Sequence, residues 1–185
     1  LTGPALASYG KTFREAPDEK WASDQRDRCE SHLRTAGTRG LFSMAAGIGQ
    51  TYAIARQPAY AQMFVWMIKR TYENYLSDPK TYGGPWGMDS DFHIYQVIPA
   101  WDAVEQCPGL TDAERLEVSK ILFRWVSELG PQKSARASSL RVRFNHQTFP
   151  ALGCLFAGQY FSRYYDAAEG FDWIEVADGT FQFQL

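Results

Sequence analysis

Asn145 and His146 stand side by side within Arg141-Val142-Arg143-Phe144-Asn145-His146-Gln147-Thr148-Phe149, at the start of an apolar helical run from Phe149 to Tyr165. Three cations, Arg136, Arg141 and Arg143, precede them. A primary amide beside an imidazole at a helix mouth, with guanidinium groups close by, suits a site that grips a carboxylate and moves a proton near it. A more ordinary reading also stands. Asn145 is a good helix N-cap residue, and a first-turn histidine is often satisfied by a backbone carbonyl.

A second cluster lies in Tyr82-Gly83-Gly84-Pro85-Trp86-Gly87-Met88-Asp89-Ser90-Asp91-Phe92-His93. Its glycines permit close backbone approach, and Tyr82 and Trp86 offer flat faces for stacking on sugar rings. His93 and Tyr95 are expected one turn into the following helix, beside the same mouth. The alternative is a structural turn around a buried tryptophan. Arg141 and Arg143 could hold carboxylates in bidentate fashion, or remain solvated loop charges, Arg136 more so.

Helices have to position these groups. Leu41, Met44, Ala45, Ile48 and Tyr52 recur at three- and four-residue steps until Gln57-Pro58, where Pro58 can open the next helix. Residues 59–76 place Phe64, Met67, Ile68, Tyr72 and Tyr75 on one side. After a turn-rich stretch, 77–90, residues 91–105 fit a helix bent by Pro99. Thr111 and Glu114 form a T-x-x-E capping box for a helix to about Leu129, whose buried face is Leu116, Ile121, Leu122, Trp125 and Leu129. Gly130-Pro131 stops it. Residues 24–35 predict a short, exposed helix, residues 1–22 a lead-in arm, and residues 170–185 an irregular aromatic segment.

The pattern is all-α: helical hairpins spaced about 50 residues apart, at 41–76, at 91–129 and from 146, the last with its second member barely present. First helices carry small residues or proline and second helices carry charge, as close-packed inner helices and solvent-facing outer helices would. That asymmetry predicts an (α/α) toroid, incomplete in this chain. A plain helical bundle explains the periodicity equally well. The division is an arm and short helix over 1–39 and a toroid segment over 40–185.

Bulk properties exclude several classes. With 19 basic and 21 acidic residues the net charge is -2, which argues against nucleic-acid or membrane-surface binding. No stretch approaches the roughly 20 apolar residues of a membrane span. Cys29, Cys107 and Cys154 form no CxxC pair, so neither a disulfide framework nor a zinc signature is present, and Cys154 reads as a core thiol. His32, His93 and His146 lack ligand spacing, so no metal is expected. Aromatics are plentiful, with 6 Trp and 10 Tyr; they suit a large aromatic core or a cleft lined with stacking platforms. The chain opens at Leu1 and closes at Gln184-Leu185 inside a patterned stretch, and the expectation is a processed chain or a piece of a longer protein.

The segment Phe144-Asn145-His146-Gln147-Thr148-Phe149, followed by a helix of small and apolar residues, resembles the Asn-His-x-Thr-aromatic motif of the α/α-toroid polysaccharide lyases, the group of heparinase II/III-like enzymes and alginate lyases. The resemblance covers about residues 40–165. It implies β-elimination on a uronic-acid polymer without a cofactor. The proton beside a charged carboxylate is weakly acidic, and neutralising that carboxylate stabilises the enolate-like charge that grows toward the transition state. A base then takes the proton and an acid protonates the leaving oxygen, each contributing on the order of 10²–10⁴-fold.

By that motif Asn145 would neutralise the carboxylate, and His146 would assist it or act as base. The family's catalytic tyrosine usually lies in a later hairpin, which this chain is expected to lack; Tyr95, Tyr160 and Tyr164 are internal candidates, with core packing the simpler role for each. The resemblance further implies an acidic polysaccharide as partner, a longer chain to complete the toroid, and a secreted or periplasmic location. A glycoside hydrolase on a similar toroid would instead need two carboxyl groups, for which Asp89 and Asp91 are the close pair. A non-catalytic carbohydrate-binding helical domain would use the aromatic loop and leave the Asn–His pair idle.

Overall fold

The computed structural model describes residues 17–36, 40–77, 93–128 and 145–183, side chains excepted at 128, 145 and 146. Among these the chain forms seven helices and no strand. They are α1 (Glu19–Ala36), α2 (Leu41–Ala55), α3 (Pro58–Ser77), α4 (Ile94–Val104), α5 (Asp112–Glu128), α6 (Asn145–Tyr165) and α7 (Glu169–Gln182).

Local chemistry fixes most of the boundaries. In α1, Asp18 Oδ1 accepts the Trp21 N–H at 2.8 Å and satisfies one of the free donors of the first turn. That cap starts the helix at Glu19 rather than at the expected residue 24 and lengthens it to 18 residues. α2 closes on Arg56, whose φ of 56° lets its N–H reach the Tyr52 carbonyl. α3 opens on Pro58 itself, where a missing N–H costs nothing.

The capping box of α5 is complete. Thr111 N–H donates to Glu114 Oε2 at 2.8 Å and Glu114 N–H donates to Thr111 Oγ1 at 3.2 Å. The Thr111 N–H and hydroxyl together hold the Glu114 carboxyl below the usual carboxylate range. A depressed folded value means that this contribution is fully present above the unfolded value of about 4.3 and is lost as pH falls through the lower folded one. Glu114→Gln, which keeps the box but cannot titrate, should therefore flatten the acid limb of stability measured by urea unfolding below about pH 4.

Two rows of helices result. In one, Gly49 of α2 lies against Ala100 of α4 and Tyr52 against Cys107 just beyond α4. Tyr95 of α4 meets Phe149 of α6, and Glu105 meets Tyr160. Contacts advance in the same direction on each pair, so α2, α4 and α6 run parallel. In the other row Trp21 of α1 meets Tyr60 of α3 and Glu30 meets Arg70. Lys69 of α3 pairs with Glu117 of α5 at 2.8 Å and Tyr72 meets Arg124. α1, α3 and α5 are therefore parallel as well. Short connections such as 56–57 fold one row back upon the other, and the core lies between them. Three tryptophans, Trp101, Trp125 and Trp173, are fully buried there, and Trp125 stacks on Phe42 with ring centroids 3.7 Å apart. Phe42, Tyr52, Phe64, Tyr160 and Phe161 are buried in the same core. Cys29, Cys107 and Cys154 are buried and form no disulfide, and burial pushes Cys29 up to about 11. No described helix is long and apolar enough to cross a membrane.

The last segment differs from its expected irregularity. Residues 169–182 are helical and pack closely on α6, so the third hairpin has both of its members. Gly158 and Gly170 allow this: a Cβ on Gly158 would lie 2.5 Å from the Gly170 carbonyl oxygen. The burial of Trp173, Ala177 and Thr180, at steps of four and three, is the stripe that seats α7. Leu116 also departs from expectation, being 49% exposed, while Val118 takes a place in the core. Residues 1–16, 78–92 and 129–144, with the expectations that fall on them, lie outside the described residues.

Candidate functional site

The parallel course of α4 and α6 brings their N-terminal ends together. Tyr95, in the first turn of α4, stacks on Phe149, one turn into α6, at 5.2 Å and 18° between planes. Gln96 Nε2 donates to the Tyr95 hydroxyl at 2.7 Å. Beneath this pair the helices nearly touch, because a Cβ on Gly153 would fall 1.9 Å from Ile94 Cγ2. His93 is the N-cap residue of α4 rather than a residue one turn in, and its carbonyl accepts the N–H groups of Gln96 and Val97 at 2.9 and 3.0 Å. Both His93 and Tyr95 are half-buried.

α6 begins at Asn145, so the backbone of the Asn–His segment enters one turn before Phe149, at the same end of the row as His93 and Tyr95. The side chains of Asn145 and His146 lie outside the described residues. So do Arg136, Arg141, Arg143, Tyr82, Trp86, Asp89 and Asp91.

The opposite ends of α4 and α6 hold a polar cluster that sequence reasoning missed. The Glu105 carboxylate accepts hydrogen bonds from the hydroxyls of Tyr160 and Tyr165. Tyr165 also shares a hydrogen bond of 2.7 Å with Ser119 of α5, whose Oγ accepts the buried Trp101 Nε1–H at 3.1 Å. Burial, followed by the Glu105 carboxylate, drives Tyr160 far above the usual phenol range; Tyr165 is raised for the same reasons. Tyr160 therefore stays a phenol and donates a hydrogen bond to Glu105. The cluster links α4, α5 and α6. Nothing local relates Glu105 to tyrosines 55 and 60 residues away, so no motif could have announced the cluster. Tyr160→Phe should cost about 1.5–3 kcal/mol of unfolding free energy, the range for a hydrogen bond to a charged group, readable by chemical denaturation.

Two hollows flank this cluster. One, of about 420 Å³, is bordered by Leu116, Phe123 and Phe161 together with Ser119 and Tyr165. The other, of about 310 Å³, is a groove between α4 and α6 bordered by Asp102, Gln159, Arg163 and Tyr164. Tyr164 is 51% exposed and is not the core side chain that was expected, whereas Tyr160 is.

Neither a family model, nor a curated protein, nor a solved structure matches the chain.

Proposed function

We propose that the chain is a segment of an α/α-toroid polysaccharide lyase that cleaves a uronic-acid polymer by β-elimination. One observation carries the reading: α2, α4 and α6 form a parallel row, and the Asn145–His146 segment starts α6 at the end of that row where His93 and Tyr95 start α4. Parallel inner helices with their N-termini on one rim are what a toroid requires, and further hairpins would close the ring.

At that rim the Asn145 amide donates to the substrate carboxylate and His146 assists it or takes the α-proton. Positive helix ends add to the stabilisation of the growing enolate charge. Arg141 and Arg143 bind neighbouring carboxylates, Tyr82 and Trp86 stack on sugar faces, and His93 and Tyr95 flank the cleft. The acid for the leaving oxygen comes from a tyrosine in a further hairpin. A polymer substrate of this kind implies a secreted or periplasmic enzyme.

The test is the ultraviolet absorbance of the unsaturated uronate on alginate, glucuronan and glycosaminoglycans, using both this chain and its longest parent. A rise with either establishes elimination, and a rise with the parent alone assigns essential residues to the further hairpins. Reducing ends without absorbance would replace the lyase by a hydrolase. Neither signal would leave a carbohydrate-binding domain as the better reading.

A further inference from the structure

The two hollows differ in what their polar groups are doing. Around the larger one, Ser119 and Tyr165 bond to each other, Glu117 pairs with Lys69, and Arg124 donates to the Tyr72 hydroxyl at 2.6 Å. That hollow already has its hydrogen bonds. In the smaller groove the Asp102 carboxylate, the Gln159 amide and the Arg163 guanidinium make no hydrogen bond or ion pair with any described residue. All three border one groove, beside the exposed ring of Tyr164, and the Arg163 guanidinium carbon lies 5.3 Å from the centre of that ring. Pro99 and Phe156 complete its apolar wall.

These side chains suit one chemistry. An aromatic face stacks on the C–H face of a pyranose. A carboxylate and an amide accept and donate to pairs of ring hydroxyls. An arginine binds a carboxylate through two parallel hydrogen bonds. A neutral sugar would offer Arg163 only hydroxyls and no opposite charge, and a simple anion has no use for Tyr164 or Asp102. Gln159 follows Asn145 by about 21 Å along α6 at 1.5 Å per residue, so the groove is a separate place from the rim proposed for catalysis.

We propose that the groove between the C-terminal halves of α4 and α6 is a second binding site for an acidic sugar unit, with its ring on Tyr164, its carboxylate on Arg163 and its hydroxyls on Asp102 and Gln159. The choice of a uronate over other carboxylated sugars rests on the lyase reading; the recognition itself does not require turnover. A polymer held here as well as at the rim is bound at two points of one chain, which raises its effective concentration at the rim.

The experiment is calorimetric titration with tetrasaccharides of alginate and glucuronan, and with cellotetraose as the neutral control. Wild type, Arg163→Ala, Arg163→Glu and Tyr164→Ala are compared, and elimination is followed separately on the longest parent. Both altered side chains are exposed, so the thermal midpoints should not move. Acidic tetrasaccharides should bind the wild type at this groove, with the affinity of that site falling at least about 10-fold in Arg163→Ala and Tyr164→Ala, and Arg163→Glu should abolish the component of binding that those two variants weaken. Cellotetraose should not bind. Equal affinity in wild type and variants, equal affinity for cellotetraose, or no binding of any acidic tetrasaccharide overturns the proposal. Elimination with binding indifferent to the variants removes this site and leaves the lyase; variant-sensitive binding without elimination does the reverse.

Discussion

Gly153→Ala should lower stability by about 2–3 kcal/mol, the upper part of the range for overpacking a filled core. In an exposed helix the same exchange stabilises, since alanine is favoured over glycine by up to about 1 kcal/mol. Here the new methyl would lie 1.9 Å from Ile94 Cγ2, and Ile94 is fully buried. The side chain cannot swing away, so α4 and α6 must separate, and the stack of Tyr95 on Phe149 opens with them. Gly47→Ala is the internal control, because nothing lies within 4 Å of the position its Cβ would take; it should be neutral or stabilising. Removing the obstruction tests the mechanism. Ile94→Ala is itself destabilising by about 2–5 kcal/mol, yet combined with Gly153→Ala it should cost less than the two changes summed, by about 1 kcal/mol or more. Urea unfolding of the wild type and these four variants measures this. A Gly153→Ala protein as stable as Gly47→Ala would mean that α4 and α6 do not meet there, and the shared rim would lose its support.

The residues that spoke clearly in the sequence were those whose meaning is local. Leu41, Ala45 and Tyr52 mark the buried face of α2, Pro58 the start of α3, and Thr111 with Glu114 the start of α5. Each is settled within about two turns of chain. α7 was illegible because Gly170 and Gly179 weaken its intrinsic preference, and only the close seat against Gly158 makes a helix there the stable choice. Leu116 and Val118 exchange roles for a related reason: the phase of a helix face is set by its neighbours, here α3 and α6, and not by its own apolar count. Tyr160 and Tyr164 differ only by one turn, yet one is bound to Glu105 and the other faces solvent. Of the candidate site, the motif at 145–149 was visible as a string of residue types. The stack that sets its helix beside α4 depends on Gly153 and Ile94, 59 positions apart by their numbers, and such a pairing has no signature along the chain.

Asn145→Asp should leave the fold intact and lower turnover by on the order of 10²–10³-fold, the loss typical of removing one donor to a developing oxyanion. This substitution separates the two roles open to Asn145. Asn145 is the first helical residue of α6, where the positive end of the helix accepts an aspartate as well as an asparagine. If Asn145 only begins α6, Asn145→Asp should keep turnover and be more stable than Asn145→Ala by about 0.3–1 kcal/mol, the value of an acidic side chain at a helix N-terminus. If its amide neutralises the substrate carboxylate, the new carboxylate removes a donor and adds a like charge where negative charge must grow. Asn145→Asp should then be slower than Asn145→Ala, although it is the closer match in shape and the more stable protein. The reversed order of activity and stability is the signature, because a purely structural role cannot produce it. Initial rates of ultraviolet absorbance on the longest active parent, set beside urea midpoints for the same three proteins, read both orders at once. Full turnover in Asn145→Asp would remove Asn145 from the chemistry and with it the residue on which the lyase reading leans hardest.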